Sequence, residues 1–221
     1  MAQASINVAQ DLIRIHKVIT RSLEVGLSKG KSYRESGFPQ PQELLGYTSY
    51  IHCLSEVLGS HHTAEDQIAF PTFRKVLPNA PYDQLATDHH GVEMLLLDIP
   101  QAITDLSGNT IVHGLKAIVD TLAKISVIWF PHIALEEKNF SEVAVNASLS
   151  LDEQKYIYDA TGKHSQEHSN PPYWVIPFVL FNLEHEERLK MAANLPPMVM
   201  DELIPKVWKD QWAPMKPFLL D

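Results

Sequence analysis

The sequence predicts an all-α protein in which an antiparallel four-helix bundle is followed by a C-terminal helical extension. Apolar residues recur at helical spacing through four long stretches, and the connections between these stretches are fairly short. Strand-like alternation of apolar and polar residues is nowhere sustained. Long amphipathic helices with short connections typically pack as antiparallel neighbours. We therefore assign residues 1–146 to the bundle and residues 147–221 to the extension.

Residues that break helices bound the helices of the bundle. The predicted spans are, in order, residues 6–27, 44–76, 82–106 and 110–145. Gly26 and Gly30 are expected to end the first helix, and a loop rich in Gly, Pro and Ser follows over residues 29–42. Pro100 predicts a kink or a break in the third helix, because proline removes a backbone hydrogen bond.

The extension is also predicted to be helical and to pack against the bundle. Ser150 and Glu153 form a capping-box pattern at the start of a fifth helix, which should continue to about His168. A sixth helix is expected over residues 174–194. Large apolar side chains recur through this segment, namely Trp174, Phe178, Phe181, Leu189, Trp208 and Trp212. A mobile tail with these side chains would expose more apolar surface than water tolerates.

The composition excludes several classes of protein. The 18 Lys and Arg residues are scattered among 27 Asp and Glu residues, whereas nucleic-acid binding needs clustered basic side chains. The single cysteine, Cys53, cannot form an intramolecular disulfide, which fits a reducing compartment. The longest uninterrupted apolar stretch, residues 174–181, is too short to span a bilayer. We expect a cytoplasmic protein with neither a nucleic acid nor a membrane as partner.

Histidine is unusually frequent, with 11 residues, and each helix of the bundle places one on its apolar stripe. In the second and fourth helices a glutamate follows that histidine four residues later on the same face. Burying these groups unpaired would cost roughly 1–3 kcal/mol for each neutral group and more for a carboxylate. Two divalent iron ions would compensate them, because imidazoles ligate terminally while carboxylates can bridge two metals. The inward residues are His16, His61, Glu65, His89, His132 and Glu136.

Neighbouring residues leave part of this assignment open. His62 and Asp66 repeat the spacing of four one step round the second helix, and His90 adjoins His89. A modest rotation of either helix would exchange these positions. His185 continues an apolar stripe of the predicted sixth helix, so it is a further candidate to point into the protein.

Two segments resemble the paired histidine–glutamate helices of hemerythrin-like (HHE cation-binding) domains. They are His61-His62-Thr63-Ala64-Glu65-Asp66 followed by Phe70-Pro71, and His132 with Glu136-Glu137 and Phe140. The resemblance covers about residues 6–145 and implies a bundle of the hemerythrin type around a di-iron centre that meets dioxygen. The ligands that it implies are His16, His61, Glu65, His89, His132 and Glu136, with Glu65 and Glu136 bridging the two ions.

The sequence departs from the oxygen-carrying members of that family at two positions. Those members place a second histidine four residues after the first one of the third helix, where this chain has Glu93. They end the ligand set with an aspartate five residues after the last histidine, where Glu137 stands. We expect a protein that binds or activates dioxygen, as an oxidase or oxygenase with a small-molecule substrate or a redox partner. A non-enzymatic iron or oxygen sensor or carrier is the alternative.

Two other metal-binding patterns compete with this interpretation. Ferritin-like di-iron proteins use Glu-x-x-His pairs, and no histidine in this chain has a glutamate three residues before it. The segment His164-Ser165-Gln166-Glu167-His168 matches inverted zinc proteases, in which His164 and His168 would bind zinc and Glu167 would be the general base. Two prolines end the helix directly after this segment, which favours a polar helix terminus.

Overall fold

The structure, a computed structural model, describes residues 7–221 and consists of helices and the turns between them, with no β-strand in that range. This confirms the predicted fold class at the level of an all-α protein. The first six residues of the predicted bundle unit, including the predicted helix start at Ile6, lie outside the described residues.

The helices follow one another with short connections. In chain order they are α1 (Val8–Ser36), α2 (Pro41–Ala64), α3 (Phe70–Val76), α4 (Tyr82–Leu96), α5 (Ile99–Thr104), α6 (Ile111–Asn139), α7 (Glu142–Ser148), α8 (Leu151–His168), α9 (Pro172–Phe181), α10 (His185–Ala192) and α11 (Lys209–Trp212). Two π-helical segments, Glu65–Ala69 and Val199–Val207, and two 3₁₀ segments, Gly108–Thr110 and Ala213–Phe218, lie between or after them.

Helix α1 is longer than the sequence predicted. It runs through Gly26 and Gly30 to Ser36, so the loop expected over residues 29–42 is reduced to residues 37–40. These two glycines permit close packing and do not end the helix. A Cβ atom on Gly30 would collide with the Tyr47 hydroxyl and lie 2.7 Å from Val119. The Tyr47 hydroxyl donates a hydrogen bond of 2.9 Å to the Gly26 carbonyl.

Three of the predicted helices are divided in the structure. The third breaks near Pro100 into α4 and α5, as predicted. The fourth ends at Asn139 and not near residue 145, because Ser141 caps a separate helix, α7. The predicted sixth helix is two helices, α9 and α10. Asn182 ends α9, since its side chain bonds to the Phe178 carbonyl and to the Tyr50 hydroxyl.

The apolar core consists of two clusters with a polar layer between them. Helix α1 packs along α6, α6 also contacts α4, and α2 contacts both α1 and α4. Along each helix the buried residues change from one cluster to the other at the inward histidines. Along α2 and the π-helical segment after it, the change falls between Leu58 and Ala69. Along α6 and the residue after it, the change falls between Trp129 and Phe140. The polar residues therefore lie where the two clusters meet.

Helix α6 is apolar over most of its length. With the preceding turn (Gly108–Asn139) it is long and apolar enough to cross a membrane by length and composition alone, a test that core helices of soluble proteins also pass. Five of its buried apolar residues belong to the larger apolar cluster, namely Leu115, Ile118, Leu122, Ile125 and Trp129. Packing in the core thus accounts for these apolar positions.

The C-terminal segment shares the larger apolar cluster with the bundle. Phe178 and Phe218 lie with their rings 5.0 and 5.5 Å from that of Tyr50 on α2. A Cβ atom on Gly46 would overlap the Pro214 carbonyl, so glycine lets the C-terminal 3₁₀ segment lie directly on α2. The capping box of Ser150 and Glu153 is present at the start of α8, as predicted. The division of the chain into two units at residue 146 stays a prediction.

Candidate metal centre

The six residues predicted as ligands come together in the polar layer, and all six are buried. They form two groups of four whose potential ligand atoms lie within 4.8 Å of one another. Glu65 and Glu136 belong to both groups. The first group adds His16 of α1 and His61 of α2, and the second adds His89 of α4 and His132 of α6.

The two glutamates face both groups. Glu136 Oε2 lies 3.2 Å from His16 Nε2, while its Oε1 lies 3.3 Å from His132 Nε2. Glu65 Oε2 lies 3.4 Å from His61 Nε2 and 3.5 Å from His89 Nε2. Each carboxylate therefore stands between a histidine of one group and a histidine of the other. This is the arrangement of ligands that two adjacent cations would share.

Buried polar atoms without a hydrogen-bond partner are concentrated here. Among the described residues they include His16 Nε2, His61 Nε2, Glu65 Oε2 and both carboxylate oxygens of Glu136. Each such atom costs about 1–3 kcal/mol, and more when it is charged. Native proteins contain few of them, and each needs an explanation. Imidazole nitrogens and carboxylate oxygens are ligands of divalent transition metals, so these residues fit bound cations.

The environment shifts the pKa values of these groups in different directions. Burial, followed by the neighbouring Glu136 carboxylate, holds the pKa of Glu65 well above its usual range. Burial acts in the same direction on Glu136, but the adjacent His132 and His16 imidazoles outweigh it and hold the pKa of Glu136 well below its usual range. Burial, followed by the His16 charge, lowers the pKa of His61. His61 is thus neutral and ready to ligate, whereas Glu65 must release a proton when a cation binds.

A second set of carboxylates contacts the histidines from outside. Glu137 Oε1 lies 3.0 Å from His16 Nδ1, and Asp66 Oδ1 lies 2.9 Å from His89 Nδ1. Asp88 Oδ2 is 3.5 Å from His132 Nδ1. Each of these carboxylates is adjacent in sequence to one of the six predicted ligands. Its side chain contacts a histidine on a different helix. Such partners fix the orientation of an imidazole and raise its basicity as a ligand.

Aromatic rings close the centre on two sides. Trp129 is fully buried on α6, and its ring makes edge contacts with those of His16 and His61 at 5.6 and 6.1 Å. Its indole N–H donates to Thr20 Oγ1 at 2.9 Å. Phe70 stacks on His89 with ring centroids 5.5 Å apart. These walls exclude bulk water from the cluster and lower the local dielectric constant.

A π-helical turn and a proline shape the helix that carries Glu65. The Phe70 N–H bonds to the Glu65 carbonyl, a spacing of five residues, and Pro71 follows directly. The ring of Pro71 would clash with the carbonyl four residues earlier in a regular α-helix, and the wider turn relieves this clash. Pro131 directly precedes His132 on α6 and cannot donate a backbone hydrogen bond to the carbonyl of Val127, whose side chain is exposed.

The structure resolves the positions that the sequence left open. His62 is buried and stacks on His89 with ring centroids 4.1 Å apart. His90 and Glu93 are exposed and lie 3.5 Å from each other, so Glu93 is outside the cluster. His185 is exposed at the start of α10, which corrects the expectation that it points inward. The stripe on which that expectation rested is broken between α9 and α10.

Sequence reasoning gave His62 too little weight because it assumed one buried stripe on the second helix. Helix α2 also contacts α8, a helix of the extension, so a second face is covered. Of the outer carboxylates, the sequence singled out Asp66, four residues after His62, and Glu137, five residues after His132, but not Asp88. The adjacency of Asp88 to the inward His89 is the one sequence feature that could have found it.

The segment His164–His168 does not form a candidate metal site in the part of the chain that the structure describes. His164 Nε2 lies 2.9 Å from Thr63 Oγ1, and His168 Nδ1 lies 2.9 Å from the His164 carbonyl. Glu167 is exposed and pairs with Lys163 at 3.7 Å. Each side chain has a local partner, as expected of a polar helix terminus.

Comparison with known proteins agrees with this site. Residues 8–144 match the family model described as Hemerythrin HHE cation binding domain. No curated protein and no solved structure matches the chain. The matched range contains all six predicted ligands together with His62, and it ends before the C-terminal extension.

Proposed function

Because the chain belongs to the hemerythrin HHE cation-binding family, we propose that it holds two iron ions inside an antiparallel four-helix bundle and that this pair binds or activates dioxygen. One observation carries the proposal, namely that Glu65 and Glu136 are common to two groups of ligand atoms. A single cation would use one group and leave buried atoms of the other unpaired. Two cations bridged by both carboxylates would satisfy the whole cluster.

The residues would divide between the ions according to the two groups. His16 and His61 would ligate one ion, His89 and His132 the other, and Glu65 and Glu136 both. The bound iron pair would supply the redox chemistry and the place where dioxygen attaches. The chain's own contribution is to orient the imidazoles through the outer carboxylates and to exclude water with the aromatic walls.

The surroundings of the centre support a small ligand such as dioxygen. All six proposed ligands are buried, and the rings of Trp129 and Phe70 lie against their imidazoles. We therefore favour dioxygen binding, with electrons exchanged with a redox partner, over oxygenation of a large substrate.

A second candidate function is that of an iron or oxygen sensor. Helix α8 of the extension packs on the π-helical segment that begins with Glu65. His164 of α8 also contacts Thr63, two residues before that glutamate. A change in the position of Glu65 would therefore alter the contacts of the extension directly. A partner protein could recognise the altered extension. The single buried Cys53 favours a reducing, cytoplasmic setting for either function.

Anaerobic loading with ferrous iron, followed by elemental analysis, tests the proposal. We expect two ions per wild-type chain and a clear loss of iron in Glu65→Ala and His132→Ala. His90→Ala is the matched control, because His90 lies next to a proposed ligand but is exposed. An unchanged iron content in both ligand variants would contradict the assignment.

Oxygen uptake by the loaded protein separates the two candidate functions. An oxidase consumes oxygen repeatedly when a reductant is supplied, whereas a sensor or carrier takes up only an amount that matches its iron content. Zinc loading that depended on His164 and His168 would instead favour the metalloprotease interpretation.

A further inference from the structure

The outward face of α6 is apolar where the surface of a helix is normally polar. Between Thr121 and Glu136 six residues of this helix are exposed, and Lys124 is the only charged residue among them. Val127 is 76% exposed and Phe130 is 42% exposed. The other three are Ala123, Pro131 and Ala134. Single exposed apolar side chains are common, but a row of five on one helix face indicates an interaction surface.

The core of the chain itself does not account for these residues. Ile125 and Trp129 are fully buried and fill the inward side of the same turns. On the outward side Ala123, Val127, Phe130 and Ala134 follow one another at steps of four, three and four. This alternation is the spacing of the seam along which two helices pair in a coiled coil. These four residues are called the outer seam below.

We propose that the outer seam binds a second copy of this chain, through antiparallel pairing of the two α6 helices about a twofold axis. In that arrangement Val127 lies against Phe130 of the second copy, and Ala123 lies against Ala134 of the second copy. The small alanine side chains allow the two helices to approach closely at both ends of the seam. A twofold axis requires such a self-complementary surface.

The charges beyond the ends of the seam favour the same arrangement. Asp120 lies one step before Ala123, and Lys138 lies one step after Ala134; both are exposed. Antiparallel pairing brings Asp120 beside Lys138 of the second copy, and the twofold axis makes this pair twice. Asp120 already pairs with Lys116 of its own helix and gains a second cation. Parallel pairing would instead bring like charges together at both ends, which is unfavourable.

Sedimentation equilibrium of the full-length chain over a range of concentrations tests the proposal. We expect twice the chain mass at high concentration and the single-chain mass on dilution. Val127→Glu should weaken the association by at least ~100-fold, because each dimer would bury two carboxylates among apolar side chains. Val207→Glu is the matched control, since Val207 is a 60% exposed valine of the C-terminal segment. Val127 is exposed within one chain, so Val127→Glu should fold as the dilute wild type does.

A charge exchange tests the antiparallel arrangement separately. Asp120→Lys and Lys138→Glu should each weaken the association roughly 5-fold, because each change places like charges together twice per dimer. The double variant should recover the wild-type association, since the pairs form again with the charges reversed. A double variant as weak as the two single variants combined would contradict the antiparallel arrangement.

Three results would overturn the proposal as a whole. The first is a wild-type chain that stays monomeric at its highest soluble concentration. The second is a dimer that Val127→Glu leaves intact, because another surface would then join the copies. The third is a monomer that sediments with anionic phospholipid vesicles through Val127 and Phe130, which would assign the seam to a membrane surface. None of these results bears on the di-iron proposal, because the outer seam lies on the side of α6 opposite the buried His132 and Glu136.

Discussion

Replacing Glu65 by glutamine should abolish paired metal binding without destabilising the metal-free protein. Burial and the Glu136 carboxylate hold the pKa of Glu65 well above the ordinary value of 4.5, so the metal-free protein keeps this carboxyl neutral above that pH. Glutamine then replaces a neutral group by a neutral group of the same shape. In the loaded protein the same change removes a ligand that both ions share.

The size of the effect follows from binding linkage. A cation that binds only the folded state stabilises it by about 2.7 kcal/mol when its free concentration is 100 times its Kd. Two such sites contribute about 5 kcal/mol. In a chain of this length 1 kcal/mol shifts the unfolding midpoint by roughly 2–4 °C. Saturating iron should therefore raise the midpoint of the wild type by about 10–20 °C, and Glu65→Gln should lose most of this rise.

Anaerobic thermal unfolding with and without ferrous iron measures both parts of the prediction. Glu93→Gln is the matched control, because it makes the same chemical change at an exposed glutamate outside the cluster. An iron-dependent rise in Glu65→Gln equal to that of the wild type would refute the shared-ligand role. A metal-free variant that unfolds far below the metal-free wild type would refute the neutral state of Glu65.

Three further predictions address the pH dependence, the outer carboxylates and the extension. Metal-free wild-type protein should lose stability as pH rises from 4.5 towards the raised pKa of Glu65, because the folded state keeps a proton that the unfolded state has released. Denaturant titrations at several pH values should show that the unfolding free energy of Glu65→Gln depends less on pH. Glu137→Gln should weaken iron binding by about 10–100-fold in a competition with a coloured chelator, whereas Glu142→Gln, on the neighbouring helix, should not. Phe218→Ala should cost about 3–5 kcal/mol of unfolding free energy in one cooperative transition, since the ring is buried in the core shared with the bundle; two separate transitions would show an independently folding extension.

The sequence predicted the features of the fold that depend on periodicity. The long helices, the break at Pro100 and the capping box at Ser150 are all local signals, and all are present. The inward positions of His16 and His132 also follow from their places on apolar stripes. These residues could be selected without knowing how the helices are arranged.

The errors arise where tertiary contacts decide the local structure. Gly30 resembles a helix end in sequence, but the close approach of Tyr47 and Val119 makes it an interior residue of α1. The division between α9 and α10 depends on the buried side chain of Asn182 and its bond to Tyr50, a residue far away in the chain. His62 faces inward because a second layer covers α2. None of these contacts leaves a periodic pattern in the sequence.

The central claim is that two iron ions share Glu65 and Glu136, and electron paramagnetic resonance of the iron-loaded protein after exposure to oxygen tests it most directly. Two ferric ions joined by shared carboxylates couple their spins, so the account predicts a protein with two irons per chain and almost no signal from isolated ferric iron. The parallel spectrum of His132→Ala should show that signal, because one ion loses a terminal ligand. A strong signal from isolated ferric iron in the wild type, in proportion to its iron content, would contradict the paired centre.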